Sequence, residues 1–192
     1  MPFSIGQTSV GCVVSQNASL LAVKESFVYE TKLRDQQVVR ESGSAGEIGT
    51  VDEKVILLAE DFDDDAKIIQ VVLSQAGVEN PVFVVSDGRE VIAYLRGEGK
   101  YANRKKFPVP SVLLLDLKMP KCDGFDVLEW CKKQPQLGDM LVVVLTGNRE
   151  LSSVKRAYEL GAHSFLVKPC QTQDIVHLTQ SFRGYWNFSP VS

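Results

Sequence analysis

The chain lacks any apolar run long enough to cross a bilayer. Met140 to Leu145 and Val55 to Ala59 are the longest, against the roughly 18 residues a membrane helix needs. It also lacks a basic start joined to a long apolar stretch and a cleavage site, so no secretory leader is expected. Cysteine is scarce: Cys12, Cys122, Cys131 and Cys170 show no CxxC or other metal-ligand spacing, which leaves reduced thiols in a cytoplasm as the expectation. Basic excess is missing too. Residues 1–53 hold four Lys+Arg against seven Asp+Glu and so carry the whole net charge of −3, while residues 54–192 hold 17 of each. A nucleic-acid footprint needs a surplus of Lys and Arg, so no nucleic-acid partner is expected, nor a membrane. The local run Arg104-Lys105-Lys106 reads as a solvated loop. Repeats and low-complexity tracts are absent as well. What remains, at 44% apolar and 23% charged residues over 192 positions, is a folded globular chain of about one domain plus a remainder.

The remainder lies at the N-terminus. Residues 41–50, Glu-Ser-Gly-Ser-Ala-Gly-Glu-Ile-Gly-Thr, are small, polar and glycine-rich, which is linker composition. Residues 1–53 therefore read as an extension and linker, residues 54–186 as the folded domain, and residues 187–192 as a tail. Within the extension, residues 17–40 hold helical spacing only loosely. A partner-binding helix and a loosely ordered segment are both open, and the loose spacing favours the second.

From residue 54 the periodicity alternates. Lys54 to Ala59 is a continuous apolar run of strand length, and Ile68, Ile69, Val72, Leu73 and Ala76 follow at helical spacing up to Gly77. Further strands are predicted at Pro81 to Ser86, Ser111 to Leu115, Leu141 to Leu145 and Ser164 to Val167. Their helices are Arg89 to Arg96, Phe125 to Lys133, Leu151 to Leu160 and Asp174 to Arg183. Five strand–helix pairs point to an α/β fold, a doubly wound five-stranded parallel sheet with helices on both faces. In such folds ligands bind beyond the carboxyl ends of the strands.

Those ends carry chemistry. Glu60-Asp61-Phe62-Asp63-Asp64-Asp65 follows the first strand, Asp116 the third, Thr146 the fourth and Lys168 the fifth. Asp63, Asp64 and Asp65 read as first-turn acids that complement a helix dipole. Parallel strands in register bring Glu60, Asp61, Asp116, Thr146 and Lys168 to one edge. Carboxylates forced together repel unless a cation intervenes, and Mg²⁺ characteristically takes one or two of them while keeping waters. Beside a lysine and a hydroxyl, such a centre suits phosphoryl transfer to an Asp oxygen.

The segments Val55-Ile-Leu-Leu-Ala-Glu-Asp61, Leu113-Leu-Leu-Asp-Leu-Lys-Met-Pro-Lys-Cys-Asp-Gly-Phe125, Val142-Val-Val-Leu-Thr-Gly147, Ala157-Tyr-Glu-Leu-Gly-Ala162 and Phe165-Leu-Val-Lys-Pro169 together resemble the receiver domain of bacterial two-component response regulators. The chemotaxis-regulator type is the general match. The long 97–110 connection and the Phe182 to Trp186 finish resemble the small regulators paired with phytochrome kinases. The resemblance implies a flavodoxin-like fold in which Asp116 accepts a phosphoryl group from a sensor histidine kinase, of phytochrome type by the likeness to the small regulators, or from a small donor. It implies direct Mg²⁺ ligation by Asp61 and Asp116, Glu60 acting through a water, and the backbone carbonyl of Lys118 as a further ligand. Lys168 and Thr146 would contact the phosphoryl oxygens, and the family's Lys-Pro bond is cis, which Pro169 permits. The resemblance also implies Thr146 and Phe165 as the switch positions; Phe165 lacks the hydroxyl of the more usual tyrosine, so only ring burial could report the phosphorylated state.

With six residues after the expected domain, output is expected through protein contact: a partner, or a homodimer through the face of helix four, strand five and helix five. Leu151, Lys155, Arg156 and Asp174 lie on that stretch. No enzyme activity is expected beyond self-catalysed phosphorylation and dephosphorylation. The alternative is a haloacid-dehalogenase-type phosphatase with Asp61 as nucleophile and Asp63 as general acid. Against it, Asp65 stands where that family places Thr or Val, and no later acid pair is evident.

Overall fold

Each predicted strand segment becomes a strand, and the central ones are buried on both faces. The computed structural model describes residues 54–147 and 151–188. The expectations for residues 1–53, including Cys12 and the 17–40 segment, and for residues 189–192 lie outside them. In chain order the elements are β1 (Ile56–Ala59), α1 (Asp63–Gln75), β2 (Val82–Val85), α2 (Gly88–Arg96), β3 (Val112–Asp116), α3 (Gly124–Lys132), β4 (Leu141–Thr146), α4 (Leu151–Glu159), β5 (Ser164–Val167) and α5 (Thr172–Ser181). The five strands form one sheet in the order β2-β1-β3-β4-β5, every pairing parallel. Strand order reverses between β1 and β3, the position where such sheets open a ligand crevice.

Burial explains why the central strands read as continuous apolar runs rather than alternating ones. All four residues of β1 are inaccessible, as are Val112 to Leu115 of β3, because α1 and α5 cover one face while α2 and α3 pack together on the other. Helix α1 ends as its composition suggests. Gly77 adopts φ 79°, its N–H donates to the Ser74 carbonyl, and the Val78 N–H donates to the Leu73 carbonyl. That paired closure needs a left-handed residue, which glycine supplies without steric cost. Among the described residues no helix is long and apolar enough to cross a membrane.

Two expectations need correction. Arg104 is not a solvated loop residue like the exposed Lys105 and Lys106. Its guanidinium donates from Nη1 to the carbonyls of Tyr94 (2.8 Å) and Phe107 (3.3 Å) and from Nη2 to that of Leu95 (2.7 Å), satisfying the open end of α2. Around it, the 97–110 connection packs its aromatic rings onto Tyr94 of α2: Tyr101 lies 4.9 Å from Tyr94 and 5.2 Å from Phe107, ring to ring. The second correction is at the C-terminus, where α5 stops at Ser181 instead of running to Arg183. Phe182 and Trp186 turn into the core, and Phe188 bridges back to Val78. Asn80 holds this return, donating to the carbonyls of Lys54 and Tyr185 and accepting from the Asn187 N–H.

Removing the Arg104 side chain takes the hydrogen bond from the Leu95 carbonyl and leaves that of Tyr94 with the Gly97 N–H alone. Arg104→Ala is expected to lower unfolding free energy by about 1–3 kcal/mol, whereas Lys105→Ala stays within about 0.5 kcal/mol, both read from urea unfolding. Equal effects would return Arg104 to the solvated reading.

Candidate active site

Strand register brings the candidate residues together. Ala59 pairs with Leu115, so Glu60 stands level with Asp116; Asp116 pairs with Leu145, and Thr146 with Val167. The residues that leave these strands at their carboxyl ends, Glu60, Asp61, Asp116, Thr146 and Lys168, therefore share one rim. Glycine helps bring it close. A Cβ on Gly124, the first residue of α3, would sit 2.5 Å from the Asp116 carbonyl oxygen and 2.8 Å from the Leu117 Cα, so only glycine lets the helix start against the β3 end.

At the centre is the ammonium of Lys168. Its Nζ lies 2.7 Å from Asp116 Oδ2, 2.5 Å from Glu60 Oε2 and 3.3 Å from Asp65 Oδ2. The other Asp116 oxygen accepts from the Lys118 N–H at 3.1 Å, and the Lys168 N–H donates to the Thr146 carbonyl at 2.9 Å. The Lys168–Pro169 bond is cis. Thr146 is buried at the β4 end.

Burial and charge oppose each other here. Burial drives the Glu60 carboxyl above its ordinary value of 4.5, and the contact with Lys168 only partly offsets it while Asp116 adds repulsion. For Lys168 burial pulls the other way, disfavouring the ammonium, but hydrogen bonds to Asp116 and Glu60 outweigh it and the ammonium is held above its ordinary 10.5.

One cation is not enough for this many acids. Glu60, Asp61 and Asp116 each offer an oxygen within 4.8 Å of the other two, and Asp61 Oδ1 is buried with no hydrogen-bond partner. A set of hard oxygen donors with an unpaired buried oxygen suits a divalent cation of the Mg²⁺ or Mn²⁺ kind. The same rim opens into a cavity of ≈ 420 Å³ lined by Phe62, Asp65, Asp116, Lys118, Gly147 and Lys168, among others.

The family of the response regulator receiver domain matches residues 56–180. The chain belongs to that family. Among curated relatives, Rcp1 of Synechocystis sp. is 35% identical over 133 residues, 69% of this chain and 88% of Rcp1. Among solved structures, the bacteriophytochrome response regulator RtBRR superposes with a TM-score of 0.63 at 37% identity, covering 72% of this chain and 81% of that one. The phosphorylated cyanobacterial phytochrome regulator RcpA gives 0.58 at 34%, covering 70% and 94%. The Mn²⁺-bound form of Rcp1 gives 0.57 at 34%, covering 72% and 97%. This receiver is thus a two-component signalling domain similar to phytochrome response regulators, and the phosphatase reading of Asp61 finds no support in the match.

Asp65, Phe165 and His163 make contacts that have no local signature in the sequence. Asp65 is a first-turn acid of α1 as expected, but it also reaches Lys168. Phe165 is inside the molecule, 7% exposed and edge-on to Tyr158 at 6.2 Å. His163 serves the backbone, its Nδ1 accepting from the Val142 N–H at 3.0 Å.

A divalent cation at ten times its dissociation constant is expected to add about 1.4 kcal/mol of stability, a rise in Tm of about 3–6 °C. Asp61→Asn, which removes one of the crowded carboxylates, should melt higher than the parent without the cation and lose most of the rise. An undiminished rise in the variant would remove Asp61 from the ligand set.

Proposed function

We propose that Asp116 is the phosphoacceptor of a Mg²⁺-dependent transfer from a sensor histidine kinase, and that the phosphorylated receiver signals by protein contact. The observation that carries this reading is the Lys168 ammonium 2.7 Å from Asp116 beside three carboxylates able to share one cation. An Asp116 oxygen attacks phosphorus, the P–N bond of the donor phosphohistidine breaks, and its electron pair returns to the imidazole. Lys168 pairs with the phosphoryl oxygens, and the Thr146 hydroxyl donates to one of them. Glu60, Asp61, Asp116 and the Lys118 carbonyl would hold Mg²⁺, which neutralises charge on the transferring group when bound. Cavity access at Asp116 leaves room for the donor. Beyond this self-catalysed gain and loss of phosphate, the reading assigns no enzyme activity.

The kinase-facing surface follows from what α1 leaves uncovered. Phe62, Ile68 and Val71 are 64%, 47% and 54% exposed, an apolar strip beside the acidic mouth that suits an amphipathic helix presenting its histidine. Similarity to phytochrome regulators favours a phytochrome-type kinase. Free Cys122, Cys131 and Cys170 accord with a reducing cytoplasm where such a kinase acts. Output is read at the face of α4, β5 and α5, where Thr146 drawn toward the phosphoryl group shifts β4 against the packed Phe165–Tyr158 pair and alters self-association or partner docking.

Phosphopeptide mapping after labelling by a histidine kinase, or by acetyl phosphate, is expected to place the acyl phosphate on Asp116, with none in Asp116→Asn; an adduct on Asp61 would contradict the reading. Val71→Glu should slow labelling by the kinase at least about tenfold while leaving the acetyl phosphate reaction within about twofold. Equal slowing of both would remove α1 as the docking surface.

A further inference from the structure

We propose that Asp65 is a specificity-determining residue of this site, where its carboxylate competes for Lys168 and disfavours free anionic phosphodonors relative to a docked kinase. The inference rests on Asp116 being the phosphoacceptor. Lys168 has two inner anionic partners, Glu60 and Asp116, whose side chains are 0% and 6% exposed, and one outer partner, Asp65, at 45%. The outer partner stands 3.3 Å from the ammonium and lines the same cavity as Asp116 and Lys118.

Helix capping alone does not account for that placement. Asp63 and Asp64 already complement the start of α1, and Asp64 has its own counter-ion in Lys67 at 3.2 Å. Asp65 instead points its charge at the cation that an incoming phosphoryl group needs. A donor's anionic oxygens must take Lys168 from Asp65 and approach the carboxylate that remains. A kinase offsets this cost with contacts elsewhere, such as the apolar strip of α1; a free small donor has no such contacts. The carboxylate at 65 thereby keeps the acceptor from responding to small phosphorylated metabolites in general.

Beryllofluoride with saturating Mg²⁺ is a suitable probe because it carries anionic charge to the acceptor without a kinase. Calorimetric titration of the full chain is expected to show Asp65→Asn binding it about three- to tenfold more tightly than the parent at low salt. That gain should shrink as salt rises, while Asp65→Glu binds like the parent. Acetyl phosphate labelling of Asp65→Asn should accelerate by a similar factor, and kinase labelling by less. Thermal melts check that each variant is folded, which the half-exposed position favours. Unchanged or weaker binding in Asp65→Asn overturns the inference, as does a gain that salt leaves untouched or that Asp65→Glu shares. In those cases the Asp116 reading stands; a parent chain that fails to bind beryllofluoride at all overturns both.

Discussion

A single ammonium surrounded by carboxylates organises this molecule. Lys168 touches Glu60, Asp65 and Asp116, and Asp61 completes the acidic rim. Isolated, the buried Glu60 or Asp116 carboxylate would carry a heavy desolvation cost, and burial already pushes the Glu60 carboxyl upward. Lys168 compensates part of that cost, and the rest makes the site receptive to a second cation. The imbalance that burdens the resting site is what suits it to the proposed phosphoryl chemistry: an acidic cluster that could hold a cation, beside a lysine shared among three carboxylates.

The sheet exists, for this purpose, to hold those charges at contact distance. Lys168 and Glu60 are far apart in sequence, and their meeting depends on the register that runs from β1 through β3 and β4 to β5. Inaccessible Leu114, Val143 and their neighbours hold that register by close packing against the helices on both faces of the sheet. Gly124 then lets α3 begin against the Asp116 carbonyl. Rigidity at the strand ends is therefore set in the core, several residues below the chemistry.

Much of this was readable in advance because strand and helix periods are local. The runs at Val55 and Leu141 are plain in the sequence, and in a parallel sheet the residues that follow the strands must share an edge, so Glu60, Asp116, Thr146 and Lys168 are legible from the sequence alone. What escaped were contacts with no local signature. Asp65 and Lys168 are 103 residues apart, and nothing in a first-turn acid indicates which way its carboxylate turns. Arg104 looked like its exposed neighbours Lys105 and Lys106 because a run of charges does not reveal which member folds back onto a helix end. Asn80 meets Tyr185 across 105 residues, and Phe165 revealed its residue type but not its inward placement.

The most direct test of the central claim is a crystal structure of the receiver with Mg²⁺ and beryllofluoride. The account requires the fluoride complex on Asp116, the Lys168 ammonium in contact with it, and the metal held among Glu60, Asp61 and Asp116. A complex bound to another carboxylate, or a Lys168 that stays with Glu60 and makes no contact with the group, would contradict it.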